Sequence, residues 1–308
     1  METIAIFCES LEPDGEPFKD PYYWDAYSDL VLILQELGAR AYFTTDNSTY
    51  IGEGVFTKGY TLLAKGPVES MRKMGEFKAD LVFDRGLFTG SGVKVLNPEF
   101  VSRVGEDKIT TYELFGHFQP FSVPCYSKSE LLKAFDNIDG NLIVVKEPKG
   151  CGGHGVYIGT RQEVLREIPD IYPLLAQEYM DTSVSYPGYK NGIADMRIEV
   201  GGGEIWGCYI RIPKPGSYKA NVAQGGSKII LTHNDVPKDL LKIVKEIDSY
   251  FKGYPRFYGV DFAHTIDGWK LIEINTVRLG IVAMSAGPGS KYTLYKLANY
   301  LIDNADKK

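Results

Sequence analysis

A chain of 308 residues, 44% hydrophobic and 24% charged, has the makeup of a soluble globular protein with room for two or three domains. Its net charge of −6 gives no general attraction for nucleic acid or an anionic membrane, leaving only a local basic pocket for a phosphorylated ligand. No run approaches 18 apolar residues, the opening METIAIFCES has no basic stretch leading into an apolar one, and Cys8, Cys125, Cys151 and Cys208 form no CxxC pair. These features predict a reduced, cytoplasmic protein without a zinc site or a disulfide framework.

The first hundred residues alternate strand and helix, which predicts an α/β layer with a parallel sheet. Strands are expected at 3–8 (TIAIFC), 39–45 (ARAYFTT), 79–84 (ADLVFD) and 93–97 (VKVLN). A helix should begin near Pro21 and stop at Gly38, and a short one should cover 68–77 (VESMRKMGEF). The polar stretch 45–59 reads as a surface loop or hairpin. Helices are predicted at 109–118 and 127–138, followed by a hairpin around VVKEPKGCGGHGVYIG. Strands then follow at 194–200, 204–212 and 227–231. The helix over 237–253 puts Leu240, Ile243, Val244, Ile247 and Phe251 on one stripe facing a core. Residues 258–276 read as strand, turn and strand, and a last helix runs through 291–303. Divisions near 104 and 178 give three expected domains, 1–103, 104–178 and 179–308.

Gly150-Cys151-Gly152-Gly153-His154-Gly155 fits the GxGxxG spacing, but a strand follows it where the dinucleotide fingerprint needs a helix. No GK[ST] closes it as a Walker A loop. What remains is a hairpin with a glycine tip, able to lay backbone N–H groups over phosphates and to move, or simply a long flexible turn. Lys146, inside the first strand, is placed to reach a phosphate from below. His154 sits at the tip, and Cys151 reads as a small filler rather than a nucleophile.

In GVDFAHTIDGWKLIEINT, Glu273 and Asn275 share a strand face, and register decides whether Asp261 joins them. A two-residue turn at Asp267-Gly268 pairs Asp261 with Ile274. A three-residue turn, with Gly268 in a left-handed bulge, pairs it with Glu273. In the second case three oxygen-bearing side chains converge, a set suited to Mg²⁺. An exposed polar hairpin face is the plainer alternative. Arg85, in FDRG at a strand end, is either an anion anchor or half of a salt bridge. Arg278 follows the carboxylate strand by three residues, and Glu9 and Ser10 follow the first strand towards the same cleft.

Taken together, the in-strand lysine, the glycine hairpin and the later Asp…Glu-x-Asn resemble the ATP-grasp superfamily over about residues 95–276. The likeness is nearest to bacterial glutathione synthetase and to the ligases that add glutamate to a protein C-terminus. It implies an ATP-grasp fold behind an N-terminal Rossmann-like domain. It also implies that Lys108, Lys146, Gly150, Gly152, Gly153, His154 and Gly155 meet ATP phosphates, with Gln177, Glu178 and the Tyr179 backbone at adenine and ribose. DMRIEVGGGEIWGCYIRIPKPGSYKANVAQGG places Arg197, Arg211, Asn221 and Gly225-Gly226 where those families keep theirs. By the same likeness Arg211 and Asn221 are catalytic, and Asp261, Glu273 and Asn275 hold Mg²⁺ or Mn²⁺. Arg85, Arg197 and Arg278 are the expected substrate contacts, Arg85 and Arg278 from their places at or after strand ends rather than from the likeness.

The implied activity is carboxylate–amine ligation through an acyl phosphate, with ATP, a small carboxylate and an amine from an amino acid, peptide or protein terminus. Nucleic acid and membrane are not expected partners, and a homo-oligomer is compatible. Kinase activity on a hydroxyl and non-catalytic nucleotide binding are the alternatives. TVRLGIVAMSAGPGS and CESLEPDGEPFKDPYYWDAYSD depart from the glutathione synthetase pattern, so the expected substrates are not glutathione's precursors.

Overall fold

The computed structural model describes the chain except residues 13–14, 16–17, 19–20, 151–152, 183–194, 214–226, 232, 278, 280, 282–289 and 308. The first part runs β1 (Thr3–Cys8), α1 (Pro21–Glu36), β2 (Arg40–Thr44), β3 (Tyr50–Gly52), β4 (Val55–Phe56), β5 (Gly59–Thr61), β6 (Arg72–Met74), β7 (Phe77–Lys78), β8 (Leu81–Arg85) and β9 (Lys94–Leu96). There follow α2 (Glu99–Glu106), α3 (Lys108–Phe115), β10 (Ser122–Cys125), α4 (Lys128–Asn137), β11 (Leu142–Lys146), β12 (Val156–Thr160), α5 (Arg161–Glu167) and β13 (Leu174–Glu178). The last part runs β14 (Asp195–Gly201), β15 (Glu204–Ile212), β16 (Ser227–Leu231), α6 (Lys238–Tyr250), β17 (Phe257–Thr265), β18 (Gly268–Asn275) and α7 (Ser290–Asp306).

The first sheet has the order β6-β5-β2-β1-β8-β9. Its β2-β1-β8-β9 part is parallel, as the alternation of strand and helix requires, while β5 and β6 join antiparallel at one edge. Residues 68–77 therefore depart from the helix expected of them. They make one 3-10 turn at Val68–Ser70 and then an edge strand with Arg72 and Lys73 exposed. Three apolar residues ahead of Gly75 give a helix too little to bury, and the ladder to β5 supplies the backbone partners instead. The polar stretch after β2 forms the β3-β4 hairpin, which with β7 makes a separate three-stranded sheet closed over Phe56. Helix α7 returns to the start of the chain, packing Leu294, Leu297, Ala298 and Leu301 into the same core as α1 and β1.

The middle sheet, β10-β13-β11-β12, buries one face under Leu131, Phe135 and Val164 of α4 and α5. The C-terminal sheet, β16-β15-β14-β17-β18, is antiparallel throughout. Helix α6 covers one side of it with Leu240, Val244, Ile247 and Phe251 buried and Ile243 half-buried, the stripe expected from the sequence. Because side chains alternate across a strand, the other face is left for polar residues. Asn97, at the end of β9, ties this sheet to the first one. Its side chain donates to the carbonyls of Phe257 and Thr276 and accepts from Phe257 N at 2.6 Å.

Candidate active site

The hairpin β17–β18 sets the register of the polar face. Thr265 pairs with Gly268 across a two-residue turn of Ile266 and Asp267, and Gly268 takes φ 93°. That register alone would put Asp261 opposite Ile272. A bulge between Asp261 and Phe262 sets Ile272 out of the ladder and brings Asp261 opposite Glu273. The pairing expected of a three-residue turn is thus reached by an irregularity inside the strand, which the turn residues do not announce.

Asp261, Glu273 and Asn275 come together on this face. Asn275 Nδ2 lies 3.3 Å from Asp261 Oδ2 and 3.2 Å from Glu273 Oε1. Arg197 grips Asp261 with two bonds, Nε to Oδ1 at 2.6 Å and Nη2 to Oδ2 at 2.5 Å. Arg211 grips Asp195 in the same way at 2.6 Å each and reaches Asp261 Oδ2 at 2.8 Å. Sequence reasoning missed Asp195, although the alternation Asp195, Arg197, Glu199 along β14 marks a charged face on an otherwise apolar strand. Burial alone would raise the Asp261 carboxyl, but Arg197 and Arg211 more than offset it and hold it below the usual range. Burial and the charge of Asp261 push Glu273 up.

The donor set has the chemistry of a site for a hard divalent cation. It offers only oxygens, which suits Mg²⁺, and a repelled Glu273 beside Asp261 is relieved by positive charge. Glu273 is 31% exposed, and both it and Asn275 line a cavity. The Asn275 amide presents oxygen after a flip. Asp261 already accepts four bonds, so it joins a cation only when Arg211 or Asn275 lets go. Among the described residues no three His, Cys, Asp or Glu side chains are grouped for a metal, in keeping with a set whose third member is an amide. The residues fit.

That cavity, of about 210 Å³, has Lys108, Lys149 and Gly150 on one side and Glu273 and Asn275 on the other. Lys108 opens α3, where Asp107 caps the helix by accepting from Ile109 N and Thr110 N. Its backbone N donates to Pro148 O at 2.9 Å and its Nζ to Gly150 O at 3.1 Å, so it holds the root of the glycine loop. Gly155, at φ 67°, turns the loop back onto Glu147, where a Cβ would come 2.9 Å from the carboxyl carbon. Gly150 and Gly153 also take positive φ, and His154 is exposed. Lys146 ends β11, buried, with no hydrogen bond or ion pair to its ammonium group among the described residues. Burial, reinforced by Lys108 and partly offset by Glu273, lowers its pKa to about 8.

Gln177 and Glu178 end β13, and Tyr179 follows directly. The Gln177 amide is buried and donates to Ser122 Oγ at 2.8 Å, while Glu178 N donates to Phe121 O. Arg85 closes β8 and is 5% exposed. Gly86 lets the chain turn there, since a Cβ would come 2.4 Å from Glu9 N. Arg85 Nε donates to the Tyr27 hydroxyl at 3.2 Å and Nη2 to the Leu279 carbonyl, while Nη1 has no partner among the described residues. No carboxylate pairs with it among the described residues. Cys8 beside it is buried, with its thiol pushed up by that burial. Asn221, Gly225, Gly226, Arg278, Cys151 and Gly152 lie outside the described residues.

The profile of the RimK-like ATP-grasp domain matches residues 121–287. The glutamate–LysW ligase ArgX of Sulfurisphaera tokodaii is 26% identical over 247 residues, spanning 77% of this chain and 84% of the relative. The glutathione synthetase of Prochlorococcus marinus is 28% identical over 193 residues, 60% of this chain and 57% of that one. Among solved structures, the VanG D-Ala:D-Ser ligase of Enterococcus faecalis superposes with a TM-score of 0.65 at 14% identity, covering 99% of each chain.

Proposed function

The chain belongs to the RimK-like ATP-grasp family, and from that premise we propose that it is an ATP-dependent carboxylate–amine ligase working through an acyl phosphate. The observation that carries this reading is the cavity with Lys108 and Gly150 on one wall and Glu273 and Asn275 on the other. Its volume is below the ~300–1,000 Å³ usual for a small-molecule site, so it suits phosphates rather than a whole nucleotide. The glycine hairpin would open to admit ATP and close over the intermediate, which water would otherwise hydrolyse.

In this reading Lys108, Lys146 and the loop N–H groups receive the phosphates, and Gln177, Glu178 and Tyr179 border the adenosine. Glu273, Asn275 and Asp261 would hold Mg²⁺, whose charge neutralises the phosphate oxygens. A substrate carboxylate oxygen attacks the γ-phosphorus, and the bond to ADP breaks. The amine then attacks the acyl carbon and loses a proton as inorganic phosphate leaves. Arg211 has Nε and Nη2 on carboxylates, and Nη1, without a partner among the described residues, is the donor assigned to charge on the transferring group. Asn221 is assigned beside it. Arg85, a buried guanidinium without a carboxylate partner among the described residues, is the anchor proposed for a substrate carboxylate, with Arg278 as its companion. Relatives named for glutamate transfer and glutathione synthesis favour an amino acid or peptide among the substrates. The division into 1–103, 104–178 and 179–308 is retained as a proposal, with α7 returned to the first unit.

The test is a screen of amino acids and dipeptides for phosphate release from ATP, with mass spectrometry of the products. A condensation product, lighter by one water than its two substrates, is the expected result. A phosphorylated product with no amide overturns the reading.

A further inference from the structure

We propose that Glu199 is a specificity-determining residue of the cleft and receives an ammonium group of the substrate. The inference rests on the ligase reading only in assigning that group to one of the ligase's two substrates. Glu199 lies in β14 on the same face as Asp195 and Arg197, at about 7 Å from Arg197 along the strand. It is wholly buried, and neither carboxylate oxygen has a hydrogen-bond partner among the described residues. Its neighbours explain why. On β15 the residue opposite is Gly207, where a Cβ would come 2.9 Å from Glu199 Oε2, so the carboxylate lies over a bare backbone. On β17 the residue opposite is Gly259, and Leu279 covers it, with Cδ1 2.6 Å from where a Cβ would stand. The nearest donor on a flanking strand is the Tyr209 hydroxyl of β15, which favours the ionised carboxyl but completes no hydrogen bond to either oxygen among the described residues. The two arginines farther along β14 and β15 are held by Asp261 and Asp195.

A buried carboxyl without a completed hydrogen bond is costly, and an apolar side chain at this place would serve the fold better. An ammonium group brings three donors and the opposite charge, which is the chemistry the site lacks. The location suits such a ligand. Leu279, which roofs Gly259, also offers its carbonyl to Arg85, so an unpartnered carboxylate and an unpartnered guanidinium nitrogen border one residue. An ammonium held by Glu199 would lie one strand position beyond Arg197 and Asp261, next to the proposed phosphoryl-transfer centre.

Two full-length variants test this. Glu199→Gln keeps the shape and removes the charge, and Glu199→Leu also removes the polar atoms. The probes are the twenty amino acids and their N-acetyl derivatives, titrated calorimetrically in the presence of a non-transferable ATP analogue. The expected result is an amino acid that binds the unaltered protein, loses at least tenfold in affinity in E199Q, and is not matched by its N-acetyl form. Affinity for the ATP analogue should change less than twofold, and E199L should melt no lower than the unaltered protein. Equal amino-acid affinity in E199Q and the parent overturns the proposal. So does the absence of any binding amino acid, or a lower Tm in both variants with affinity unchanged, which would make Glu199 structural. These are binding and melting measurements, so they are independent of the product analysis that tests the ligase reading. A persistent affinity loss without amide formation would keep this inference and remove that reading.

Discussion

Two charged regions share the open face of the C-terminal sheet and its border with the first sheet, and they differ in completeness. In one, Asp195, Asp261, Arg197 and Arg211 form a network in which each carboxylate receives at least two guanidinium bonds. In the other, around Leu279, Arg85 Nη1 and both oxygens of Glu199 have no hydrogen-bond partner among the described residues. Burial is similar, and all six side chains are no more than about one-eighth exposed. The difference separates charges that hold the site together from charges that wait for something to bind. Perturbing the first should cost stability, and perturbing the second should cost recognition.

The largest effect is expected from Asp261→Ala. It strips Arg197 of its bidentate partner, leaving Glu273 at 3.8 Å as the nearest carboxylate, and removes one of the two carboxylates on Arg211. Breaking a buried pair by deleting one partner costs roughly 3–5 kcal/mol. Urea denaturation should show that loss as a lower midpoint with an unchanged slope. A loss below roughly 1 kcal/mol would mean that the network does not support the fold.

The same contrast explains what the sequence discloses. The glycine hairpin, the in-strand lysine and the stripe on α6 are periodic or local features, and the structure places each where the residues imply. The meeting of Asp261 with Glu273 was legible only as one of two registers, because the bulge at Ile272 depends on how both strands pack rather than on the turn. The partners of Arg197 and Arg211 come from another strand and from residues 16 and 64 positions away, beyond any local pattern. The short helix over 68–77 failed for a related reason, since its segment is recruited by the edge of a sheet begun earlier in the chain. Glu199 was hidden most completely. A charged residue within IEV reads as the solvent side of a strand, but here β15 and β17 flank it and Leu279 packs over Gly259 beside it.

Lys146→Met comes next in size. The substitution removes a charge proposed to meet ATP phosphate, so nucleotide affinity should fall roughly tenfold to a hundredfold, read by calorimetry. Folding should not suffer. The folded pKa of Lys146 is lowered to about 8 from 10.5, so the folded state binds fewer protons than the unfolded state between those values. Stability therefore rises with pH across that window, and the buried charge is a full penalty below it. The variant lacks the penalty, so at pH 7 it should melt at or above the parent, with the gap closing towards pH 10. A variant that melts lower at pH 7 would assign Lys146 to the satisfied network instead.

Glu199 gives a pH signature of opposite slope and similar size. Burial raises its pKa from 4.5 to about 7, against the pull of Arg197 and Lys228. The folded state keeps a proton that the unfolded state has released, so this contribution to stability is fully present below about pH 4.5 and lost as pH rises through about 7. The decline should be roughly 3 kcal/mol. Denaturation of E199L between pH 5 and 8 should lack that part of the fall seen in the parent. Parallel curves for the two proteins would show that Glu199 is ionised and compensated throughout.

The smallest effect separates the two regions most sharply, and it falls on Arg85. Lysine at this position keeps the positive charge but loses the planar fork that bonds a carboxylate at two points. Nε on Tyr27 and Nη2 on Leu279 orient the guanidinium, so among the described residues Nη1 is the nitrogen left to greet a ligand. If Arg85 anchors a substrate carboxylate, Arg85→Lys should raise KM for that substrate about tenfold, the equivalent of losing one charge-assisted bond of about 1.4 kcal/mol. kcat should change little and ATP affinity not at all, since no ATP group is assigned to β8. A structural role predicts another pattern. Loss of the Tyr27 and Leu279 bonds would then lower Tm and leave every KM unchanged. Measuring Tm and the KM for each substrate on one preparation decides between them, and unchanged kinetics would move the carboxylate anchor away from the first sheet.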